Sequence, residues 1–282
     1  MELFRSLAVL VEPPQPETER LVELLELPSV PEAWEYTQLF VEQLYPYSSV
    51  YLGAEGMLGG EARDLIAGFW RALGESPPTE PDHLSVLLGL YAHLVELEER
   101  AEPGARRDAW RRARTALLWE HLLSWVPFWI AKLERIASPV YRAWAGLTRE
   151  ALVREAERLD LPRELPLALR DAPPLCTPEA GGGEAFLGQI LCPLRTGLIL
   201  TRTDLTEAAS ALGLGLRAGE RRYALRALIG QDPGGVLGWL AERAAASAEN
   251  ARSGPETIAA FWSHQAREAS SVLRLAADQA SA

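Results

Sequence analysis

Apolar residues along this chain recur mainly at intervals of three and four, the period of an amphipathic helix. A short helix is expected over 2–11, stopped by Pro13-Pro14, and Leu21, Leu24 and Leu25 share one face of a second over 17–27. Trp34, Tyr36, Leu39, Phe40 and Leu44 mark a third over 32–45, and Ile66, Phe69, Trp70 and Leu73 a fourth over 60–73. Leu84, Leu87, Leu88, Tyr91, Leu94 and Leu97 carry the same pattern through 81–101. A longer periodic stretch, 106–135, places Leu117, Leu118, His121, Leu122 and Trp125 on one side and contains Pro127. Proline lacks an N–H and clashes with the preceding turn, so a kink or break is predicted there. Further helices are expected over 139–159, 184–201, 204–212 (capped by Asp204), 218–230, 233–249 and 255–280. The only β-rich runs, Ser49 to Leu52 and Leu198 to Thr201, are short, and no fixed period repeats.

The pattern therefore predicts an all-α fold, a helical bundle in the broad sense. It is interrupted once at length. From Leu161 to Glu184 the chain turns to Pro162, Pro166, Pro173, Pro174, Pro178 and Gly181-Gly182-Gly183, the composition of a linker. This divides the sequence into a helical domain over 1–160, a linker over 161–183 and a helical extension over 184–282.

Charge changes the picture. The net charge of -11 argues against a nucleic-acid partner. It is also uneven: residues 1–100 hold 18 acidic and 5 basic side chains. This acidic body suits a cationic partner and disfavours a membrane surface or phosphate-rich ligand. Lys132 is the only lysine, so no Schiff-base or phosphate-loop lysine is available elsewhere. Two cysteines, Cys176 and Cys192, form no disulfide framework and fit a reducing compartment. The first residues have no basic region of a secretory signal, and no apolar run reaches the ~18–20 residues of a membrane span.

The densest chemistry lies in Thr79-Glu80-Pro81-Asp82-His83, before an apolar helix. Thr79 and Asp82 have capping-box spacing, with Pro81 near the first helical turn. That places Glu80 and His83 at an exposed helix mouth, with Asp82 shared between cap and contact. A metal site is disfavoured by spacing: Glu120 and His121 are adjacent rather than Glu-x-x-His, and no His-x-x-x-His or Cys-x-x-Cys occurs. No nucleophile elbow is present, and both thiols read as inert. The glycine run over 53–60 lacks a phosphate-loop ending and reads as a tight loop feeding the next helix. Tyr45, Tyr47 and Tyr51 lie in a predicted loop, where aromatics often serve a surface. An acidic body with loop aromatics has the makings of a receptor for a basic, partly apolar peptide.

Glu80-Pro81-Asp82-His83, preceded by Tyr36-x-x-Leu39-Phe40 and followed by Leu87-Leu88-x-Leu90-Tyr91 and Glu120-His121-Leu122-x-x-Trp125-x-Pro127-x-Trp129, resembles the TorD/DmsD/NarJ family of redox-enzyme maturation chaperones. The resemblance spans roughly 1–160; residues 184–282 extend beyond the usual family core. It implies a TorD-like helical bundle, a cytoplasmic location, no cofactor or metal of its own, and no catalytic activity. The implied partner is the catalytic subunit of a molybdenum oxidoreductase, often held at its twin-arginine leader peptide until cofactor insertion. Helix exchange into a homodimer is also known in the family. Mapped onto this chain, Glu80, Pro81, Asp82 and His83 are the client-recognition signature. Tyr36, Phe40, Tyr47, Glu120, His121 and Trp125 complete the expected client-binding set. Two other readings stand beside it: a metal-dependent enzyme built on Glu80, Asp82, His83, Glu120 and His121, and a helical scaffold or regulator whose motif is only a cap.

Overall fold

A computed structural model describes residues 2–178, 182–217, 219–250 and 254–281, and among these no strand forms; a lone bridge pairs Tyr47 with His83. The described residues form two units, Met1–Ser49 with Leu58–Ala168, and Val50–Met57 with Leu169–Ala282. This division differs from the one read from composition. Residues 161–168 of the proline-rich stretch belong to the first unit, and 50–57 belong to the second. Glu179, Ala180 and Gly181 of that stretch lie outside the described residues.

The first unit contains α1 (Glu2–Val9), α2 (Thr18–Leu24), α3 (Ala33–Tyr36), the start of α4 (Ser48–Leu52), α5 (Gly60–Ala72), α6 (Leu84–Arg100), α7 (Ala105–Ala116), α8 (Val126–Ile136), α9 (Pro139–Arg158) and the start of α10 (Leu167–Arg170). α6 packs against α1 and α7. Leu84, Leu87, Leu88, Leu90, Tyr91, Ala92 and Leu94 are all buried, so it is covered on most of its circumference. Its charged tail is neutralised where it enters the interior: Glu98 pairs with Arg114 at 3.1 Å and Glu96 with Arg5 at 2.6 Å.

Two helices widen into π turns, α3 into Thr37–Val41 and α7 into Leu117–Leu123. In the first, Glu42 N–H donates to Thr37 O at 3.0 Å and Leu44 N–H to Leu39 O at 2.7 Å, spacings of five residues. Such turns place one extra residue per revolution and rotate everything that follows. Phe40 lies in the first of them, 1% exposed, at the centre of the aromatic core. Its ring stacks on Trp129 at 5.9 Å and meets Tyr141 edge-on at 5.0 Å. The predicted break at Pro127 is present: the helix stops after Leu123, and α8 restarts with Pro127 in its first turn, where its missing N–H has no bond to lose.

The second unit is built from α11 (Gly183–Ile190), α12 (Pro193–Thr196), α13 (Arg202–Leu212), α14 (Arg221–Ile229), α15 (Pro233–Asn250) and α16 (Glu256–Ser281). α15 and α16 run antiparallel: Ser263 Oγ donates to Ala248 O at 2.9 Å and Ser270 Oγ to Ala241 O at 2.8 Å. Their facing stripes are small (Ala241, Ala244, Ala266, Ala269), which lets the two backbones approach. The cap of α13 is Thr201, not Asp204. Asp204 is the reciprocal partner in a capping box, its carboxylate accepting the Thr201 N–H at 2.6 Å. The expected helix over 184–201 ends at Ile190, because Cys192-Pro193 starts a new turn, α12. Ser49 to Leu52, read as β-rich, is helical, and Tyr51 in it is buried rather than presented to a surface. The 53–60 run is the tight loop expected, with positive φ at Gly56, Gly59 and Gly60. The Cys192 thiol donates to Gly53 O and Ala54 O, and burial pushes its pKa up, as an inert thiol requires. No described helix is long and apolar enough to cross a membrane.

Candidate functional site

The Glu80–His83 segment is a turn, not the first turn of a helix. His83 N–H donates to Glu80 O at 3.3 Å, with Pro81 in the second position of the turn, which its fixed φ suits. α6 therefore begins at Leu84, three residues later than spacing predicted, and Thr79 with Asp82 does not cap it. The N-cap is His83, whose Nδ1 accepts the Ser85 N–H at 3.3 Å.

The turn is clamped against residues 46–49. Leu84 N–H donates to Pro46 O at 2.8 Å and Ser48 N–H to Asp82 O at 3.0 Å. The Asp82 carboxylate, 2% exposed, accepts the Ser49 N–H at 3.3 Å. It thus caps the short helix α4 instead of its own helix, placing negative charge at a helix N-terminus. Pro81, Asp82 and His83 are all buried. The expectation that His83 faces a partner is corrected: a backbone clamp on both sides covers it.

Two carboxylates remain at the surface of this cluster. Glu80 is exposed and accepts the Tyr47 hydroxyl at 2.9 Å. Tyr47 in turn lies edge-on to the His83 ring at 4.7 Å. Glu12, from the turn that ends α1, reaches His83 Nδ1 at 3.3 Å and accepts the Ser85 hydroxyl. Its side chain is 46% exposed. Tyr36 completes the group. Burial, then the charges of Glu12 and Glu80, push its pKa up to about 12, and burial with the Glu80 bond pushes Tyr47 upward too. Burial lowers the His83 pKa against the opposing pull of Glu12, Glu80 and Asp82. The Ser85 hydroxyl has one proton and two acceptors within reach, Glu12 and His83 Nδ1, at 2.6 Å from the latter. The arrangement is a half-open acidic rim of Glu12 and Glu80 on two tyrosines, over a rigid buried floor.

The structure brings together Tyr36, Tyr47, Glu80, Pro81, Asp82 and His83, and adds Glu12 and Ser85, which the motif reading omitted. Ser85 sits two residues past the N-cap, where such a contact was foreseeable. Glu12 is one of many exposed acids in the sequence, and only the packing of α1 on α6 selects it. The other expected residues make different contacts. Phe40 and Trp125 are core residues, 1% and 0% exposed, so neither offers a surface to a partner. Glu120 accepts the Leu167 N–H at 2.7 Å, and Trp119 Nε1 donates to Glu164 O at 3.1 Å. Both fasten residues 164–167 to the first unit, which is why that part of the proline-rich stretch is not a free linker. Beside Tyr36, a cavity of about 240 Å³ opens between Trp34, Glu35 and Leu39 on one side and Ile136 and Ser138 on the other; Trp34 is 59% exposed.

His121 lies against Phe69 with ring centres 5.4 Å apart, and burial lowers its pKa to about 4 from 6.5. The fold therefore favours the neutral ring, while the unfolded chain takes a proton first. Stability is complete above pH 6.5 and is lost as pH falls from about 6.5 to about 4, by at most about 3 kcal/mol. Part of the ring is open to solvent, which makes this an upper bound. Chemical denaturation across that window should show the acid slope in the wild type and a flatter one in His121→Leu. Equal slopes would remove His121 as its source.

No group of three or more metal-ligating side chains occurs among the described residues. Residues 15–131 match the family model described as the nitrate reductase delta subunit. The chaperone protein TorD of Shewanella amazonensis is 31% identical over 140 residues, covering 38% of this chain and 55% of the relative. TorD of Vibrio cholerae is 27% identical over 120 residues, covering 41% and 54%. The chain thus spans about half the length of the curated relatives it matches. No solved structure matches it significantly. The matched stretch includes Tyr36, Phe40, Tyr47, the Glu80–His83 turn, Glu120, His121 and Trp125, so over residues 15–131 the chain is similar to the nitrate reductase delta subunit family and to TorD chaperones.

Proposed function

We propose that this protein is a maturation chaperone for the catalytic subunit of a molybdenum oxidoreductase. In this reading it acts in the cytoplasm, holds the subunit at its twin-arginine leader and assists cofactor insertion before export or assembly. The observation that carries the reading is the pair of solvent-facing carboxylates, Glu12 and Glu80, set on half-buried Tyr36 and Tyr47. Guanidinium groups pair with carboxylates in a fixed fork, so two nearby acids suit two successive arginines. The recess beside Trp34 and Leu39 suits the apolar residues that follow the arginines in such a leader. Relatives bearing the name chaperone support the same class.

The roles divide accordingly. Glu80 and Glu12 contact the leader, Tyr36 and Tyr47 present them, and Asp82 and His83 hold the turn and α4 in place. Calorimetric titration with a twin-arginine leader from a molybdoenzyme tests this. Exposed ion pairs contribute ~0.2–1 kcal/mol each and charged hydrogen bonds ~1.5–3 kcal/mol, so Glu12→Gln with Glu80→Gln should weaken binding about tenfold. A leader with both arginines replaced by glutamine should lose affinity similarly for the wild type and gain no further loss with the double variant. Wild-type affinity in the double variant would reject this site.

A further inference from the structure

α7 reverses the charge of its surroundings. In a protein of net charge -11 it carries Arg106, Arg107, Arg111, Arg112 and Arg114 against a single acid, Asp108. Arg114 is spent on Glu98. Elsewhere arginines are commonly tied down, as in Arg5 to Glu96, Arg149 to Glu134 and Arg226 to Glu184. Arg106, Arg107, Arg111 and Arg112 are exposed and form no ion pair among the described residues. Arg107 and Arg111 stand one turn apart on the same face, a like-charge spacing that is unfavourable to the helix itself. The helix contributes no buried residue to the core, so core packing does not explain this arginine face.

A second feature adjoins it. A cavity of about 340 Å³ opens at Arg111 and Arg112 and is walled by Ala116, Trp119, Asp160 and Pro162, with Glu120 also lining it. Its inner wall is largely apolar, and its carboxylates would repel a phosphate placed inside. Anionic groups are favoured at the arginine lip, an apolar side chain within.

We propose that the outer face of α7 and this cavity form a docking surface for an acidic segment of a partner protein, one apolar side chain of which enters the cavity. Charge complementarity selects the acidic partner, and the extent of the patch selects a short one. From Arg106 to Arg112 the helix rises about 9 Å, the reach of a few residues. A nucleic acid continuing past that length would meet an acidic body within about one Debye length. This surface uses none of Glu12, Tyr36, Tyr47 or Glu80, so it is independent of the proposed leader site.

The test is fluorescence anisotropy on the full chain with a short labelled peptide of glutamates around one leucine. Binding should be measurable at low salt and weaken as salt rises. It should fall at least tenfold in Arg107→Glu/Arg111→Glu/Arg112→Glu, and fall again for the wild type when the peptide's leucine becomes serine. These arginines make no internal pair, so the variant should fold. If its circular dichroism is altered, the triple glutamine variant replaces it with the same expectation. Calorimetry with the twin-arginine leader should be unchanged in either variant, which separates failure here from failure of the leader site. Absent binding, equal binding in wild type and variant, insensitivity to the leucine, or tighter arginine-dependent binding of tripolyphosphate or oligothymidylate would each overturn the proposal.

Discussion

Phe40→Ala is expected to destabilise the first unit by about 3–5 kcal/mol, the range for deleting a fully buried aromatic ring. Phe40 is 1% exposed and contacts rings from two helices: Trp129 on α8, and Tyr141 and Trp144 on α9. Removing it takes away the transfer energy of the ring and leaves a void whose walls are themselves large and rigid. Trp129 also meets Trp125 at 5.8 Å and Trp144 at 6.0 Å, so collapse into the space would disturb several contacts at once. Phe40→Leu, which keeps more of the volume, should cost clearly less. Denaturant unfolding followed by tryptophan fluorescence reads both. A loss below about 1 kcal/mol for the alanine variant would mean that the ring is not at the centre of this core, and would reopen a surface role for it.

Gly197→Ala should be nearly as damaging, by a different route. Gly197 ends α12 in the left-handed region, at φ 56° and ψ 22°, where a side chain costs about 1 kcal/mol. A β-carbon there would also lie 2.5 Å from Ala266 N and 2.7 Å from Trp262 O, both backbone atoms of α16. Backbone inside a helix cannot step aside as a flexible side chain can, so overpacking adds about 1–3 kcal/mol. The Gly197 carbonyl also accepts the Ser247 hydroxyl at 2.8 Å, which ties the same point to α15. The expected total is ~2–4 kcal/mol, measurable as a fall in the denaturation midpoint. Gly213→Ala serves as control: it shares the left-handed cap at φ 67°, but nothing lies within 4 Å of its β-carbon. If both variants lose the same amount, the close approach to α16 contributes nothing.

The two glycines show which part of the second unit sequence could supply. Gly213 follows directly on the helix expected over 204–212, whereas Gly197 lies inside the helix expected over 184–201; in the structure both are left-handed helix caps. That Gly197 alone is pressed against another helix depends on a residue 69 positions away, Ala266. The same limit applied in the first unit. Helical periodicity located α5, α9, α15 and α16 to within one or two residues, because each keeps one apolar face along its length. It missed both π turns, since these shift the apolar face by a residue where tertiary packing demands it. It placed the start of α6 too early, because Thr79, Pro81 and Asp82 have the composition of a helix N-terminus and of a β-turn alike.

By itself, then, the sequence determined that the chain is helical, where its main helices run, that Pro127 interrupts one of them, and that its motifs resemble those of the TorD/DmsD/NarJ family. These are local or patterned properties, carried by side-chain period, by proline's missing donor and by residue order. Only the tertiary structure decided which motif residues are accessible. It buried Asp82 and His83 beneath the Pro46–Ser49 clamp and drew Glu12 in from α1. It also left Arg106, Arg107, Arg111 and Arg112 of α7 without an ion pair among the described residues. Accessibility and charge pairing depend on which segments pack together, and contacts between residues as distant as Glu12 and His83 leave no periodic trace in the chain that makes them.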